Sequence, residues 1–273
     1  MIQIKIGRYT YARTGATVDS VVIPLPPETN LGVDSNYIGK ETVPIWNYSN
    51  SEGYKTTAIG AASHSEGNLT TAVGDGSHSE GYKTIAKGTY SHSEGYQTTA
   101  VGVASNSKGR LSYAKYDYSS AIGSPFNSIS GECQVTHTFA SISSAEFTSG
   151  NPMMFSTPAG YVNGITLDLT KSYLITAKII AASSQTKCII NSECPIFYYN
   201  DSHLIGDKFD SIWYPTNSNT DSIYIEYVKS DNKLQIKFYC TDTTFMAQAY
   251  VEIYEFSVQV AGASSYSGAA YSA

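Results

Sequence analysis

The sequence predicts an all-β protein with a repetitive shaft and a separate C-terminal sheet domain, and three observations indicate this class. The 273 residues include 23 Tyr and 22 Gly, a mixture of strand-forming and turn-forming residues. A short motif recurs every 14 residues between residues 49 and 123. After residue 131, longer segments follow in which apolar and polar residues alternate, as in half-buried strands.

The N-terminal segment, residues 1–48, is predicted to be an adaptor or a cap. It opens with the alternating stretch IQIKIGRYTY and continues into a Pro-rich connector at Pro24–Pro27. A stack of strands needs a cap at each end, because an open strand exposes unpaired backbone groups. We expect Pro125 and Phe126 to close the opposite end of the stack.

The repeat defines a shaft over residues 49–127. The segment SHSEG starts at Ser63, Ser77 and Ser91, with weaker copies at Ser49 and Ser105 and a remnant at Ser119. A second half-motif of the type TTAIG lies between the copies. Its alanine column never varies within the chain (Ala58, Ala72, Ala86, Ala100, Ala114), and its glycine column breaks only at Tyr116. A register this regular predicts one structural unit per repeat.

Fourteen residues are too few for a helical repeat but enough for two short strands and two tight turns. Successive units would stack about 4.8 Å apart. Each unit offers one Ala and one Ile or Val (Ile59, Val73 and Val101, with Lys87 as the exception). This apolar area is too small to offset the ordering entropy of an isolated rod. We therefore expect several copies to pack around an axis, and a cyclic homotrimer is the preferred arrangement.

Two further columns of the repeat consist of titratable side chains, His64, His78 and His92 in one and Glu66, Glu80 and Glu94 in the other. Each Glu follows its His by two residues, so both should lie on one face of a strand. We favour a structural ladder, and the alternative is a metal or anion site. Catalysis is not expected there, because identical stacked units lack distinct acid and base roles. The prediction is therefore no metal and no other cofactor.

Residues 128–262 are predicted to form an antiparallel, jelly-roll-like β-sandwich, followed by a flexible tail at 263–273. Lys229–Asn232 has the composition of a hairpin turn. Near Glu255 the alternation of apolar residues changes phase, which predicts a β-bulge. The predicted strands are 133–140, 172–182, 194–199, 222–228, 233–240 and 249–260.

A long polar connection is predicted at residues 197–216, and it carries the candidate receptor-binding residues Tyr198, Tyr199, Trp213 and Tyr214. Tyr and Trp combine an apolar ring with a polar edge, which suits sugar faces and protein partners. The alternative is that Trp213 and Tyr199 fill the core of the sandwich. Glycan hydrolysis would require two placed carboxylates. The acids of this domain (Asp201, Asp207, Asp210, Asp221) are expected to be solvated loop residues instead.

The charge distribution argues against nucleic acid and membrane partners. Residues 128–273 contain seven basic and thirteen acidic side chains, which accounts for the whole net charge of −6. Phosphate-bearing partners require Lys and Arg. The sequence has no 18-residue apolar window and no apolar stretch of a secretory signal near its start. The four cysteines (Cys133, Cys188, Cys194, Cys240) fit no disulfide or metal framework, and we expect buried thiols.

The SHSEGYKTTAIG-type repeat of residues 49–123 resembles the head repeats of trimeric autotransporter adhesins. That resemblance implies a left-handed parallel β-roll that is obligately trimeric. Similar repeats occur in phage tail fibres and in the fibres of contractile injection particles, and this second group is the closer one. The sequence departs from an autotransporter because it shows no secretion signal, no heptad stalk and no C-terminal membrane-anchoring strands.

Together these features predict a homotrimeric tail-fibre protein that binds a receptor and is not an enzyme. The N-terminal region would bind a baseplate or an upstream fibre protein, and the tip would bind a bacterial surface glycan or protein. We expect synthesis in the bacterial cytoplasm and a final location at the fibre tip of a virion or extracellular particle. The alternatives are a fragment of a trimeric autotransporter-type adhesin and a polysaccharide-cleaving tail spike.

Overall fold

A computed structural model describes residues 33–123, 134–142, 148–183, 187–199, 202–214, 223–241 and 245–256, together with the backbone of four short strands within residues 2–22. Throughout these ranges the regular structure is β-strand, which confirms the all-β class. No helix in the described ranges is long and apolar enough to cross a membrane. The N-terminal strands form two antiparallel pairs, β1 (Ile2–Ile6) with β2 (Tyr9–Arg13) and β3 (Thr17–Val18) with β4 (Val21–Val22).

A β-solenoid of about six turns follows, and each turn contains one long and one short strand. The long strands are β5 (Asn36–Lys40), β7 (Asn50–Tyr54), β9 (His64–Asn68), β11 (His78–Tyr82), β13 (His92–Tyr96), β15 (Asn106–Arg110) and β17 (Ser120–Gly123). The short strands are β6 (Val43–Pro44), β8 (Thr57–Ala58), β10 (Thr71–Ala72), β12 (Ile85–Ala86), β14 (Thr99–Ala100) and β16 (Tyr113–Ala114). The short strands form a parallel sheet of their own, and the long strands stack in parallel in a sheet that continues beyond β17 into the C-terminal region.

The register of the stack is set by the sequence period. His78 pairs with His64 on one side and with His92 on the other, so equivalent positions of successive segments lie above one another. The stack begins at Asn36, ahead of the expected boundary at residue 49. The signal for this extra turn is SNYIG at residues 35–39, which matches the later SNSEG in its first two residues and its glycine. Pro125 and Phe126 lie outside the described residues.

The interior of the solenoid contains small side chains. All five alanines of the repeat column are fully buried (Ala58, Ala72, Ala86, Ala100, Ala114). Beside them, buried hydroxyl groups pair within the five turns that start at β7. The Oγ of Ser79 lies 2.8 Å from the Oγ1 of Thr84, and the same distance separates Ser93 from Thr98. These pairs satisfy polar groups that would otherwise be costly to bury. The shaft core therefore gains little from apolar burial.

Glycine is required where neighbouring turns approach most closely. Gly81 has a φ of +108°, and a Cβ atom there would lie 2.2 Å from the carbonyl oxygen of Gly95. No side chain fits at that separation, and the backbone conformation itself disfavours other residues. The glycine column of the long strands therefore permits the close stacking of the turns.

The C-terminal region contains two antiparallel sheets that share one buried core. The strands of the larger sheet are β18 (Gln134–Ile142), β19 (Met154–Thr157), β20 (Gly160–Val162), β22 (Ser172–Ser183), β23 (Lys187–Tyr199), β24 (Ser202–Ile205), β25 (Phe209–Trp213) and β28 (Phe245–Phe256). The smaller sheet has β21 (Ile165–Thr166), β26 (Tyr224–Ser230) and β27 (Lys233–Tyr239), in the order β21-β27-β26. Both sheets contribute fully buried side chains, such as Ile175 and Phe238.

Two local predictions have opposite outcomes. The predicted hairpin is confirmed, because β26 and β27 pair around a turn in which Asp231 has a φ of 54°. The predicted bulge near Glu255 is wrong, since β28 pairs with β22 without interruption from Phe245 to Phe256. The alternation of apolar residues changes phase for another reason. Glu255 faces inward and forms an ion pair with a buried lysine, whereas Phe256 lies on the exposed side of the strand.

The shaft and the C-terminal region are joined through β18, which pairs antiparallel with β17 of the last turn. Tyr116, the residue that breaks the glycine column, is buried in the C-terminal core, and its ring centroid lies 5.3 Å from that of Phe155. The side chain of Gln134 on β18 accepts a hydrogen bond from the backbone N–H of Tyr113 at 2.8 Å. The last turn therefore belongs to both parts of the molecule.

Three of the four cysteines lie in the described residues, and all three are buried free thiols (Cys188, Cys194, Cys240). Burial raises the pKa of Cys188 and of Cys194 to about 11. Both thiols are therefore protonated at neutral pH and act as apolar packing groups.

Candidate functional site

The segment predicted to be a polar connection, residues 197–216, consists mainly of strands. It contains the end of β23, the whole of β24 and the whole of β25, both of which pair with β23. The expectation of a long loop is therefore wrong. In both edge strands the usual alternation is reversed in part, because His203 is buried and Asp210 faces inward, whereas Leu204, Phe209 and Trp213 are exposed.

The structure separates the four candidate receptor-binding residues. Trp213 is 58% exposed on β25 and does not fill the core. Tyr214, the next residue, points to the opposite side and packs partly against the core. Tyr198 is half-buried, with its ring centroid 5.4 Å from that of the buried His203. The side chain of Tyr199 lies outside the described residues. Of the four, Trp213 has the exposure that a binding residue needs.

Trp213 belongs to an exposed apolar surface on the outer side of the larger sheet, which we call the outer face. Ile180, Ile189 and Trp213 lie directly opposite one another on three neighbouring strands and form a row. The outer face comprises Ile180, Ile189, Phe197, Leu204, Phe209 and Trp213, all of them exposed. Several exposed apolar side chains on one side of a sheet often mark an interaction site.

The sequence contains a signal for the outer face. In residues 172–182, Ile180 has the same parity as Thr176 and Lys178, so alternation places an apolar residue on the polar side of the strand. Phe197 and Leu204 could not be paired from sequence, because their contact depends on the register of β23 with β24.

Of the four predicted acids, Asp207 and Asp210 lie in the described part of the chain. Asp207 is exposed, whereas Asp210 accepts a hydrogen bond of 2.6 Å from the Oγ of Ser192 and contacts the ammonium group of Lys208. The carboxylate of Asp210 is thus already paired within the protein. Asp201 and Asp221 lie outside the described residues.

A second cluster of chemically active side chains runs along the shaft, and we call it the His–Glu ladder (Glu52, His64, Glu66, His78, Glu80, His92, Glu94). Successive imidazole rings are stacked, with centroids 4.7 Å apart between His64 and His78 and 4.9 Å apart between His78 and His92. The Nε2 atom of His92 lies 3.9 Å from an oxygen of Glu80 and 3.6 Å from an oxygen of Glu94.

The environment of the His–Glu ladder shifts the pKa values of its members in different directions. Burial lowers the pKa of His78, and the neighbouring imidazoles lower it further. Hydrogen bonding with the adjacent Glu66 carboxyl group raises the pKa of Glu80, and burial raises it further. At the end of the ladder, hydrogen bonding from Lys108 lowers the pKa of Glu94.

The glutamates of the ladder border an open groove of about 690 Å³ along the long strands. The floor of the groove includes the glycine column, whose members offer backbone atoms and no side chains (Gly39, Gly53, Gly67, Gly81, Gly95). Solvent ions can therefore reach the carboxylates.

A third feature is a cavity of about 380 Å³ where the shaft meets the C-terminal region. Lys171 and Glu255 line it and form a buried ion pair, with 2.8 Å between the Lys171 Nζ and the Glu255 Oε2. The Nε2 of Gln134 donates a hydrogen bond of 3.2 Å to the Oε1 of Glu255. Burial raises the pKa of the Glu255 carboxyl group despite these partners. Asp168 also lines the cavity, so two carboxyl groups are present there.

Comparisons with known proteins give little direct information on function. Neither protein-family models nor curated protein sequences match this chain. Among solved structures, it is similar to a tailspike protein of the Acinetobacter baumannii bacteriophage Fri1, described as a capsular polysaccharide depolymerase. The two chains are 12% identical with a TM-score of 0.31, over 77% of this chain and 39% of the tailspike. The chain thus corresponds to less than half the length of that protein.

Proposed function

We propose that this protein is a tail-fibre receptor-binding protein that attaches a phage or a phage-tail-like particle to a bacterial surface. The observation that carries the proposal is the combination of a β-solenoid shaft with a C-terminal sheet whose outer face exposes aromatic and aliphatic side chains. A shaft of this type separates two ends of a molecule, and an exposed apolar surface at one end provides a place for a partner.

We further propose that the fibre is a homotrimer built on a left-handed β-roll, with residues 128–262 as a sandwich-like tip. Ile59, Val73 and Val101 remain half-buried in the single chain and form a stripe that a second copy would cover. Three copies of one weak site on a common shaft gain avidity where receptors are dense. The N-terminal region is the proposed attachment point for a baseplate or an upstream fibre protein.

The proposed receptor is a cell-surface glycan or protein bound at the outer face. Trp213 and Phe209 offer exposed rings that can pack on the apolar side of a sugar or on a protein hot spot. The excess of acidic residues in this region disfavours polyphosphate receptors, and binding of a neutral ligand should tolerate added salt.

The test is adsorption of the purified protein to sensitive cells. We expect Phe209→Ala/Trp213→Ala to abolish adsorption while the circular dichroism spectrum stays unchanged, because both rings are exposed. The matched control is Tyr90→Ala on the shaft, where the equivalent positions Ala62 and Ala104 already contain alanine. Retained adsorption of the folded double variant would place the receptor site elsewhere.

A polysaccharide-cleaving tail spike is the second candidate, and the observation that favours it is the pair of carboxyl groups, Asp168 and Glu255, in the cavity at the base of the C-terminal region. If the protein only binds, incubation with purified surface polysaccharide releases no reducing ends. Release that Glu255→Gln abolishes would establish the enzymatic alternative.

A third candidate, a cell-anchored adhesin, predicts that antibodies label the bacterial surface instead of isolated particles.

A further inference from the structure

We infer that the His–Glu ladder binds divalent first-row transition-metal ions, with Zn²⁺ as the best-suited probe, at three equivalent positions along the shaft. Three groups of side chains each bring one imidazole nitrogen and two carboxylate oxygens to within 4.8 Å of one another. The groups are Glu52–His64–Glu66, Glu66–His78–Glu80 and Glu80–His92–Glu94. One nitrogen and two oxygen donors form a ligand set that suits zinc and other ions of intermediate softness.

The first supporting observation concerns the imidazole nitrogens. The Nε2 atoms of His64, His78 and His92 are buried, and none of them has a hydrogen-bond partner within the described part of the chain. Each nitrogen points between two carboxylates at distances beyond hydrogen-bonding range, 3.7 and 3.8 Å at His64. A buried polar atom without a partner is costly, and a bound cation would remove that cost.

The second observation is the spacing of the donor atoms. Ligand atoms bound about 2.1 Å from a tetrahedral zinc ion lie roughly 3.4 Å from each other. Five nitrogen-to-oxygen distances of the ladder, 3.6–3.9 Å, approach this value, and the oxygen of Glu66 lies farther from His78 but within 4.8 Å. Small side-chain rotations would therefore complete each site without movement of the strands.

The third observation is that the shared carboxylate of Glu80 divides its oxygens between neighbouring sites. The Oε2 of Glu80 faces His78, and the Oε1 of the same residue faces His92. One carboxylate can thus serve two ions in adjacent turns. Among the described residues, Lys108 contacts the last glutamate of the ladder, Glu94. Glu66 and Glu80, in the middle of the ladder, have no Lys or Arg partner in that part of the chain. The stacked negative charges therefore lack compensation in the middle of the ladder.

The experiment is equilibrium dialysis of the untagged full chain against micromolar Zn²⁺ at neutral pH, with bound metal measured by mass spectrometry. We expect three Zn²⁺ per chain, and no comparable uptake of Mg²⁺ or Ca²⁺, which prefer sites made of oxygen ligands only. Zn²⁺ should also raise the midpoint of thermal unfolding, because an ion that binds the folded state stabilises it.

The histidine column itself suggests the matched variants, because Asn50 and Asn106 occupy the histidine position in the turns before and after it. His64→Asn/His78→Asn/His92→Asn should fold and lose all three ions and the thermal shift. His78→Asn alone should retain two ions, since the outer groups share no residue. His137→Asn, a change on β18 away from the ladder, should retain three.

The inference is overturned if the wild-type protein binds no more zinc than the folded triple variant, or if His137→Asn reduces binding as much as His78→Asn does. If the triple variant does not fold, the single variant decides, because unchanged uptake in His78→Asn contradicts a site at that residue. These readouts do not involve cell adsorption, so they are independent of the proposed receptor binding.

Discussion

At the scale of single residues, the most unusual feature is a buried ion pair at the junction. Lys171 is 5% exposed, and its ammonium group lies 2.8 Å from the carboxylate of Glu255. The nearby backbone oxygen of Lys171 also lies 3.0 Å from the Nε2 of His203. Burying two charges is costly, and the attraction between them offsets that cost only when both partners are present.

We expect Lys171→Met to lower the free energy of unfolding by about 3–5 kcal/mol at neutral pH, because it leaves the Glu255 carboxylate buried without its cation. Lys171→Met/Glu255→Met should cost much less, since both charges are replaced by apolar groups. Thermal unfolding at a fixed protein concentration measures both variants. A double variant less stable than the single one would contradict this account.

The same pair predicts a pH dependence with a definite sign. The pKa of Glu255 in the folded protein lies above its ordinary value because the group is buried. As the pH rises from the ordinary value through the raised one, the unfolded state loses its proton first, so stability falls. Loss of Lys171 raises this pKa further. The stability difference between wild type and Lys171→Met should therefore shrink when the pH is lowered. Midpoints of thermal unfolding for both proteins at acidic and at neutral pH measure this difference.

At the scale of elements, the last turn of the solenoid has a different role from the others. Its second half-motif ends in Tyr116 where the earlier turns have glycine, and this ring enters the core of the C-terminal region. The next residue strengthens the junction, because the Oγ of Ser156 donates a hydrogen bond of 2.9 Å to Asp117. The break in the repeat therefore marks the point where one architecture passes into the other.

Tyr116→Gly would restore the repeat consensus, yet we expect it to destabilise the protein by about 3–5 kcal/mol, because it removes a large buried ring. Tyr118→Ala is the control, since that side chain is exposed and Ala104 occupies the equivalent position. Differential scanning calorimetry compares the two. Equal midpoints for both variants would show that Tyr116 does not hold the junction together.

At the scale of the whole molecule, the two parts of the chain differ in how they are stabilised. The C-terminal region has a large apolar core in which Phe155, Phe238 and Phe245 are fully buried. The shaft interior has alanine and paired hydroxyl groups instead. The C-terminal region thus has the stronger apolar driving force for folding, whereas the shaft of the single chain is held mainly by its backbone ladders.

We expect trimerisation and folding of the shaft to be one event. The midpoint of thermal unfolding should then rise with protein concentration, because association favours the folded state by mass action. Light scattering coupled to size exclusion should give three times the mass of one chain, 29.5 kDa. A stable monomer at micromolar concentration with an intact shaft would contradict the proposed trimer.

The sequence alone determined the features that depend on residues close together in the chain. The 14-residue period predicts that the strands stack. The invariant alanine in each repeat predicts a narrow interior, and all five alanines are buried. The hairpin at Asp231 is likewise set by a four-residue turn. These predictions succeed because each contact recurs every 14 residues or spans a single tight turn, so the pattern itself specifies the partner.

Only the tertiary structure decided the contacts between distant segments. Gln134 meets Glu255 across 121 residues, and Lys171 meets Glu255 across 84. The row of Ile180, Ile189 and Trp213 depends on the register of three strands, which alternation within any one strand does not specify. Alternation predicts which side of a strand is apolar, whereas the packing of the sheets decides which apolar side remains exposed.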